Sequence, residues 1–221
     1  MRLAGANDAP KLRAMRILLP LCALLLLTGC NSLPGKTFVD TLETRDWRQV
    51  ATADDRERLR GWRATFEQAL REAREAGHGG QLQALGALAD PDAALPFTAA
   101  PNGRYRCRIV KLGSPRGGLA YVDYPAFECR IRAERDLQGL AKLTGSQRPI
   151  GLLFPDDDLR QVFLGTLVLG DETRAMRYGA DPQRDMIGAL QQHAPGRWRL
   201  VLPRPHFEST LDLIELVPVG D

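Results

Sequence analysis

Little in this chain announces chemistry. Aromatic residues make up 6% of its 221 positions, and it holds three histidines and four cysteines. No Gly-x-Ser-x-Gly occurs, which removes the nucleophile-elbow hydrolases. No Cys-x-x-Cys occurs either, which removes dithiol redox motifs and the common zinc ribbons. The one glycine-rich stretch, Gly113-Ser114-Pro115-Arg116-Gly117-Gly118, reads as a hairpin turn and not as a helix start, so it is no phosphate loop. Repeats, low-complexity segments and a second apolar run of membrane-spanning length are also missing.

One long apolar run is present. Ile17–Leu27 follows a basic stretch with Arg2, Lys11, Arg13 and Arg16, and it closes on Leu27-Thr28-Gly29-Cys30. Eleven residues extend only ~16 Å as a helix, too short for a hydrocarbon core of about 30 Å. The order of basic, apolar and small residues is that of a secretory signal. Its last four residues resemble a bacterial lipobox, so residues 1–29 are expected to be removed and Cys30 diacylated. Met15 offers an alternative start, because Met15-Arg16 and the run after it make a complete short signal. By resemblance to enterobacterial lipoproteins, in which Asp after the cysteine favours the inner membrane, Asn31 points to the outer membrane. The expected location is thus a lipid-anchored, periplasm-facing position in a Gram-negative envelope.

Cleavage changes the charge argument. The full chain has 30 Lys+Arg against 27 Asp+Glu, but residues 1–29 hold four of the bases and one acid, which leaves 26 of each. A balanced surface gives no electrostatic reason to bind nucleic acid. The expected partners are the membrane, through the lipidated cysteine, and an envelope protein or small ligand.

Cleavage also sorts the cysteines. Cys22 leaves with the signal and Cys30 carries the lipid, so Cys107 and Cys129 remain as one pair in an oxidising compartment. In Tyr105-Arg106-Cys107-Arg108-Ile109 and Phe127-Glu128-Cys129-Arg130-Ile131 the apolar residues alternate, which puts each cysteine on the inward face of a strand. A hairpin folded near Gly118 sets the two cysteines opposite each other.

Residues 30–46 read as a tether and 47–221 as one domain, with a helical segment over 50–95 and a strand region over 103–218. Thr52 and Asp55 fit a capping box, and Leu59, Trp62, Phe66, Ala69, Leu70 and Ala73 recur at helical spacing up to a stop at Gly77. The mixed-sign polar face predicts packing on the domain, not on a membrane. A shorter helix is expected over 81–88. Strands are expected over 104–112, 126–132, 137–143, 150–154, 161–169, 197–202 and 211–217, with a short one at 175–178 and a helical turn over 185–190. The fold class is therefore α+β: amphipathic helices packed on an antiparallel meander of seven or eight strands, closed or partly open as a barrel.

The wording of the chain resembles the bacterial family called domain of unknown function 4893, found mostly in proteobacterial secreted or lipid-anchored proteins. The resemblance runs from Trp47 to Val217 and rests on Asp54-Asp55-Arg56-Glu57-Arg58-Leu59-Arg60, Asp90-Pro91-Asp92-Ala93-Ala94-Leu95, Tyr105-Arg106-Cys107-Arg108 and Tyr124-Pro125-Ala126-Phe127. Lys142-Leu143-Thr144-Gly145-Ser146-Gln147-Arg148-Pro149 and Arg197-Trp198-Arg199-Leu200-Val201-Leu202-Pro203 belong to it as well. The family implies no activity. A weaker, architectural likeness is to membrane-bound lysozyme inhibitors, which share the Tyr-x-Cys, but their Ser-Gly-x-x-Tyr-like inhibitory loop is absent here.

The candidate ligand-binding residues are few. Gln147 and Arg148, in the turn Thr144–Pro149, combine amide and guanidinium and can cradle an anion, although turns use such residues anyway. Arg184 and Asp185 read first as a local ion pair and second as half of a polar site at a barrel mouth. His206 and Glu208 read first as a hydrogen-bonded pair tying down the last hairpin. With Asp212 they also make a thin metal-ligand set, below what zinc needs. Asp156-Asp157-Asp158 is a hairpin turn, since adjacent side chains point different ways and lack calcium-loop spacing. No cofactor and no metal are expected. The leading function is a non-enzymatic binding or envelope-maintenance module. Its alternatives are an envelope hydrolase, with His206, Glu208, Arg148 and Asp185 as the groups to suspect, and an inhibitor of a periplasmic protease or lysozyme acting through Ser114–Gly118 or Pro203–Ser209.

Overall fold

A computed structural model describes residues 44–220. The signal, Cys30 and the tether up to residue 43 lie outside the described residues.

Four helices come first: α1 (Trp47–Val50), α2 (Ala53–Arg60), α3 (Trp62–Glu75) and α4 (Gly79–Leu85), followed by a 3₁₀ turn over Gly86–Ala89. The periodicity read as one helix from Thr52 to Gly77 is broken at Gly61, which separates α2 from α3. Gly77, at φ +91°, stops α3 as expected. The capping box is present with a difference. Thr52 Oγ1 accepts the Asp55 N–H at 3.2 Å, but the return arm runs through Tyr178, whose hydroxyl accepts the Thr52 N–H at 3.0 Å and donates to Asp55.

Eight strands follow: β1 (Gly103–Leu112), β2 (Tyr121–Glu134), β3 (Leu137–Lys142), β4 (Gln147–Asp157), β5 (Arg160–Leu169), β6 (Asp185–Ala194), β7 (Arg197–Pro203) and β8 (Leu211–Pro218). Each pairs antiparallel with its neighbour, and β8 pairs back with β1, so the barrel is closed. Two expectations fail. Residues 175–178 form no strand, and 185–190 is no helical turn but the first part of β6. Almost every residue of β6 is buried, because one face lines the barrel and the other lies under helices. Alternation is lost when both faces are covered.

Strand parity divides the apolar residues into two layers. Tyr105, Cys107, Leu140, Phe163, Trp198 and Leu216 belong to a cluster that fills the barrel. Val110, Phe154, Val162, Ile187, Val201 and Leu213 belong to a second cluster with Leu59, Phe66, Leu70 and Leu85 of the helices. The helices thus pack on the outer face of the barrel, as the mixed-sign polar face predicts. Arg199, fully buried on that outer face, donates to the carbonyls of Ala87, Leu88 and Asp90 and so caps the 3₁₀ turn.

Cys107 and Cys129 are bonded, with Cα atoms 5.8 Å apart. They are not directly opposite. Cys107 faces Phe127 and Cys129 faces Tyr105, because the hairpin pairs Leu112 with Tyr121 and the register shifts between Cys107 and Ile109. The bond is therefore diagonal, between two inward-facing residues of neighbouring strands.

Candidate functional site

An up-and-down barrel places alternate connections at the same end. The segments joining β1 to β2, β3 to β4, β5 to β6 and β7 to β8 therefore share one rim. Those segments hold Ser114–Gly118, Thr144–Ser146, the approach to Asp185, and Arg204–Thr210. The other end is closed by residues 95–102. There Leu95 donates its N–H to the Gln192 carbonyl, Phe97 to that of Asp158, and the Trp198 indole to that of Thr98. Asp156 and Asp157, expected in a turn, end β4 at that far end, and only Asp158 stands in the turn; the buried Asp156 side chain accepts from Trp47, Arg48 and Arg160.

At the first rim, inward parity at the strand ends falls on charged residues. Lys111 Nζ lies 3.0 Å from Asp212 Oδ2 and 3.5 Å from Glu208 Oε2. Ser209 Oγ donates to the other Asp212 oxygen, and Gln147 Nε2 donates to Glu208 at 3.4 Å. Burial works against the Lys111 ammonium, but Asp212 and Glu208 outweigh it and raise its pKa. Burial lifts the Asp212 carboxyl above the usual range despite its partners. Beside this group Lys142 donates to the carbonyls of Thr144 and Gln147 at 2.8 and 2.7 Å and lies 3.8 Å from the centre of the Phe127 ring. Burial, with Arg148 and Lys111 adding repulsion, pulls Lys142 down to about 8.

The segment from Arg204 to Ser209 folds over this mouth. Arg204 and Glu208 both take left-handed backbone, at φ 46° and 70°, a conformation that non-glycine residues adopt rarely. Phe207 packs against the barrel cluster, and His206 Nε2 is buried without a hydrogen-bond partner. Burial, and then Arg58, lower the His206 pKa. Beneath the segment remains a space of about 30 Å³, lined by Lys111, Gln147, Asp185, His206, Phe207 and Asp212 among others. That is room for a water molecule or two and not for an organic ligand. A barrel carrying its ligand inside is not what this sequence builds.

Above the mouth, the hairpin tip and the Pro205–Ser209 segment flank an open cleft of about 500 Å³. Lys111, Arg116, Leu119, Tyr124, Phe207 and Glu208 are among its walls. The tip is ordered from within. Gly113 N–H reaches the Ala120 carbonyl at 2.9 Å, Gly118 N–H reaches Ser114 Oγ, and Glu72 accepts from both the Ser114 N–H and the Thr210 hydroxyl. At its end Leu119 is 75% exposed.

Of the residues singled out in the sequence, Gln147, His206 and Glu208 meet at this mouth, and Asp185 borders the small space below. The expected His206–Glu208 pair does not form, because Glu208 turns to Lys111 and Gln147. The expected Arg184–Asp185 pair does not form either. Arg184 holds Glu172 through both oxygens, at 2.8 and 3.0 Å, and pulls that carboxyl down to about 2. Asp185 accepts the Gly179 N–H instead, and burial raises its pKa. Arg148 belongs with Arg184. Its guanidinium donates to the carbonyls of Gly145, Gly170 and Glu172 and clasps two rim segments together.

Sequence reasoning missed Lys111 and Lys142, and weighed Asp212 only as a third metal ligand, not as the partner of a buried lysine. The signal was available: each continues the inward parity of its strand, so a charge there faces the barrel and needs a partner. Among the described residues no group of three or more His, Cys, Asp or Glu stands ready to hold a metal. A family model described as domain of unknown function (DUF4893) matches residues 47–216. No curated protein and no solved structure matches the chain.

Proposed function

The chain belongs to the DUF4893 family, and we propose that it is a lipid-anchored, periplasm-facing, non-enzymatic binding module that engages an envelope protein through its rim cleft. One observation carries this reading: Leu119, three-quarters exposed, stands at the tip of a hairpin that Glu72 and Ser114 hold in shape. A hydrogen-bonded tip presenting an apolar side chain beside Tyr124 and Phe207 is the arrangement of an interface anchor ringed by polar groups. The hydrolase alternative is weaker, because three of the four groups suspected for it are already engaged and only His206 is left with an unpartnered nitrogen. Arg148 is spent on carbonyls, Glu208 on Lys111 and Asp185 on a backbone N–H.

The same ordered hairpin favours one second reading, an inhibitor that inserts Arg116–Leu119 into the active site of an envelope hydrolase. Both readings need the tip, and the identity of the partner separates them.

The test is a photo-cross-linker at Arg116 in the full chain in its native membranes, repeated with Leu119→Asp. One discrete envelope protein joined to the native tip and lost in the variant supports the reading. Absence of a cross-linked protein, or a cross-link indifferent to Leu119→Asp, overturns it. The anchoring rests on Leu27-Thr28-Gly29-Cys30, and mass spectrometry of the purified N-terminal peptide tests it. A diacylated Cys30 is expected, and an unmodified or uncleaved terminus contradicts it.

A further inference from the structure

The helices leave part of the barrel's outer face open, and the residues there are not those of a solvated sheet. Strand register sets them in two rows. One row runs Arg130, Ala141, Ile150, Thr166 across β2, β3, β4 and β5, and the other runs Arg132, Gly139, Leu152, Leu164. In each row a guanidinium stands at one end and the smallest residue comes next; Ile150 and then Thr166 follow in the first row, Leu152 and Leu164 in the second. Ala141 on β3 sinks the middle of the face into a trough, and the Glu134 side chain lies over Gly139 beside it. The segment Ala175–Tyr178 forms its far wall, and the groove measures about 560 Å³.

Three large apolar side chains line it while open to water: Leu143 at 39%, Ile150 at 36% and Met176 at 41%. Arg132 is paired with Glu134, whereas Arg130 and Arg177 have no carboxylate partner among the described residues. At the β5 end Thr166 is 3% exposed, and its hydroxyl has no hydrogen-bond partner. This groove shares no residue with the rim cleft.

We propose that the groove binds a fatty acid, with the carboxylate on Arg130 and Arg132 and the alkyl chain laid across β3, β4 and β5 toward Tyr178. Three inter-strand spacings give the trough a length of about 14 Å, the run of an extended medium-length alkyl chain. Charge complementarity selects the head group. At the end of the apolar floor two guanidinium groups, Arg130 and Arg132, face one carboxylate, Glu134, and Arg130 has no carboxylate partner among the described residues. The site therefore fits an anionic amphiphile and disfavours a cationic one. The closed barrel argues against an extended peptide. Peptides that lie along sheets are held by main-chain hydrogen bonds at a free edge, and here β1 and β8 pair with each other. The inference stands whether or not the rim cleft engages a protein.

Calorimetric titration of the delipidated, full-length mature chain with sodium dodecanoate tests it, with dodecanol and dodecylamine as head-group controls. The expected result is one dodecanoate per chain, with both controls at least ten-fold weaker. Arg130→Gln with Arg132→Gln weakens dodecanoate about ten-fold and leaves dodecanol unchanged. Ala141→Phe fills the trough and removes binding of both. Leu143→Glu, at an exposed position, does the same should the Phe variant fold poorly. No dodecanoate binding, or binding indifferent to the trough variants, overturns the proposal. So does a photo-cross-linker at Met176 that joins the dodecanoate-free groove to residues 37–43 of its own chain, or to a second copy, in a protein that takes up no dodecanoate.

Discussion

Arg199 Nη1 lies 2.6 Å from the carbonyl oxygen of Asp90, and through that bond a strand of the barrel holds the end of the helical layer. The same nitrogen also donates to Ala87 and Leu88, and Nε donates to Gln191. Among the described residues no carboxylate forms an ion pair with this buried guanidinium, and burial, against the weaker pull of Asp90 and Asp92, drops it to about 10.

Arg199→Met keeps the bulk and removes the donors. Three carbonyls, one buried and two partly buried, are then left without this partner, so the variant is expected to lose roughly 2–4 kcal/mol. Arg199→Lys recovers only part of the loss, because one ammonium cannot span carbonyls and the Gln191 amide together. Urea midpoints of the two variants check the order. Equal stability of all three proteins contradicts it.

His193 gives the pH dependence. Burial first, then Arg199 and Arg197, push its imidazole down to about 4 from an ordinary 6.5. Glu215 lies 3.6 Å away but is already held by Arg197, and Gln191 is held by Arg199. The unfolded chain therefore takes up this proton at a higher pH than the folded one. The stabilisation is complete above about pH 6.5 and is lost as pH falls toward 4, amounting to roughly 3 kcal/mol. His193→Gln is expected to flatten the stability–pH curve over that window. A curve of unchanged slope refutes this.

The disulfide closes a loop with a sequence separation of 22 residues. Its replacement by two alanines is expected to cost roughly 3 kcal/mol, read as a lowered denaturant midpoint. Both cysteines face the filled interior, at 0% and 1% exposure. Reductant should therefore reach the bond only when the barrel opens, so the native rate of reduction should follow the unfolding rate. Fast reduction under native conditions argues against that burial.

Gly113 begins the hairpin tip at φ +71°, and a Cβ there would stand 2.7 Å from Thr210 Oγ1 and collide with the Glu72 carboxylate. Gly113→Ala is expected to cost roughly 1–3 kcal/mol through backbone strain alone. It should also loosen the tip, which hydrogen exchange at the Ser114 amide reports. Glu72→Ala should raise the same exchange with little backbone strain, because it frees the Ser114 N–H.

Alternation was enough to find most of the barrel, since Tyr105, Cys107, Cys129 and Ile131 face a filled interior while their neighbours face solvent or polar contacts. It failed at Asp185–Ala194, where helices cover the second face and every position but Gln192 is apolar or buried. Arg199 misleads for the same reason. A basic residue between Trp198 and Leu200 reads as solvent-facing, yet it lies under the 3₁₀ turn. The rim was partly legible. The loops carrying Gln147, His206 and Glu208 are visible as turns, but their convergence follows from strand order. The partners they choose depend on Lys111, which strand parity alone makes inward-facing.

The pairing of β1 with β8 brings residues 105 and 218 into one ladder, so the first strand laid down waits for the last. Until Leu211–Pro218 arrives, β1 presents an unpaired edge, and Val110 and Leu112 lack part of their cover. A nascent chain is therefore sticky along that edge, and loss of even the final strand leaves an open sheet able to recruit another copy. Closure makes the pairing of the eight residues of β8 the step that removes this edge.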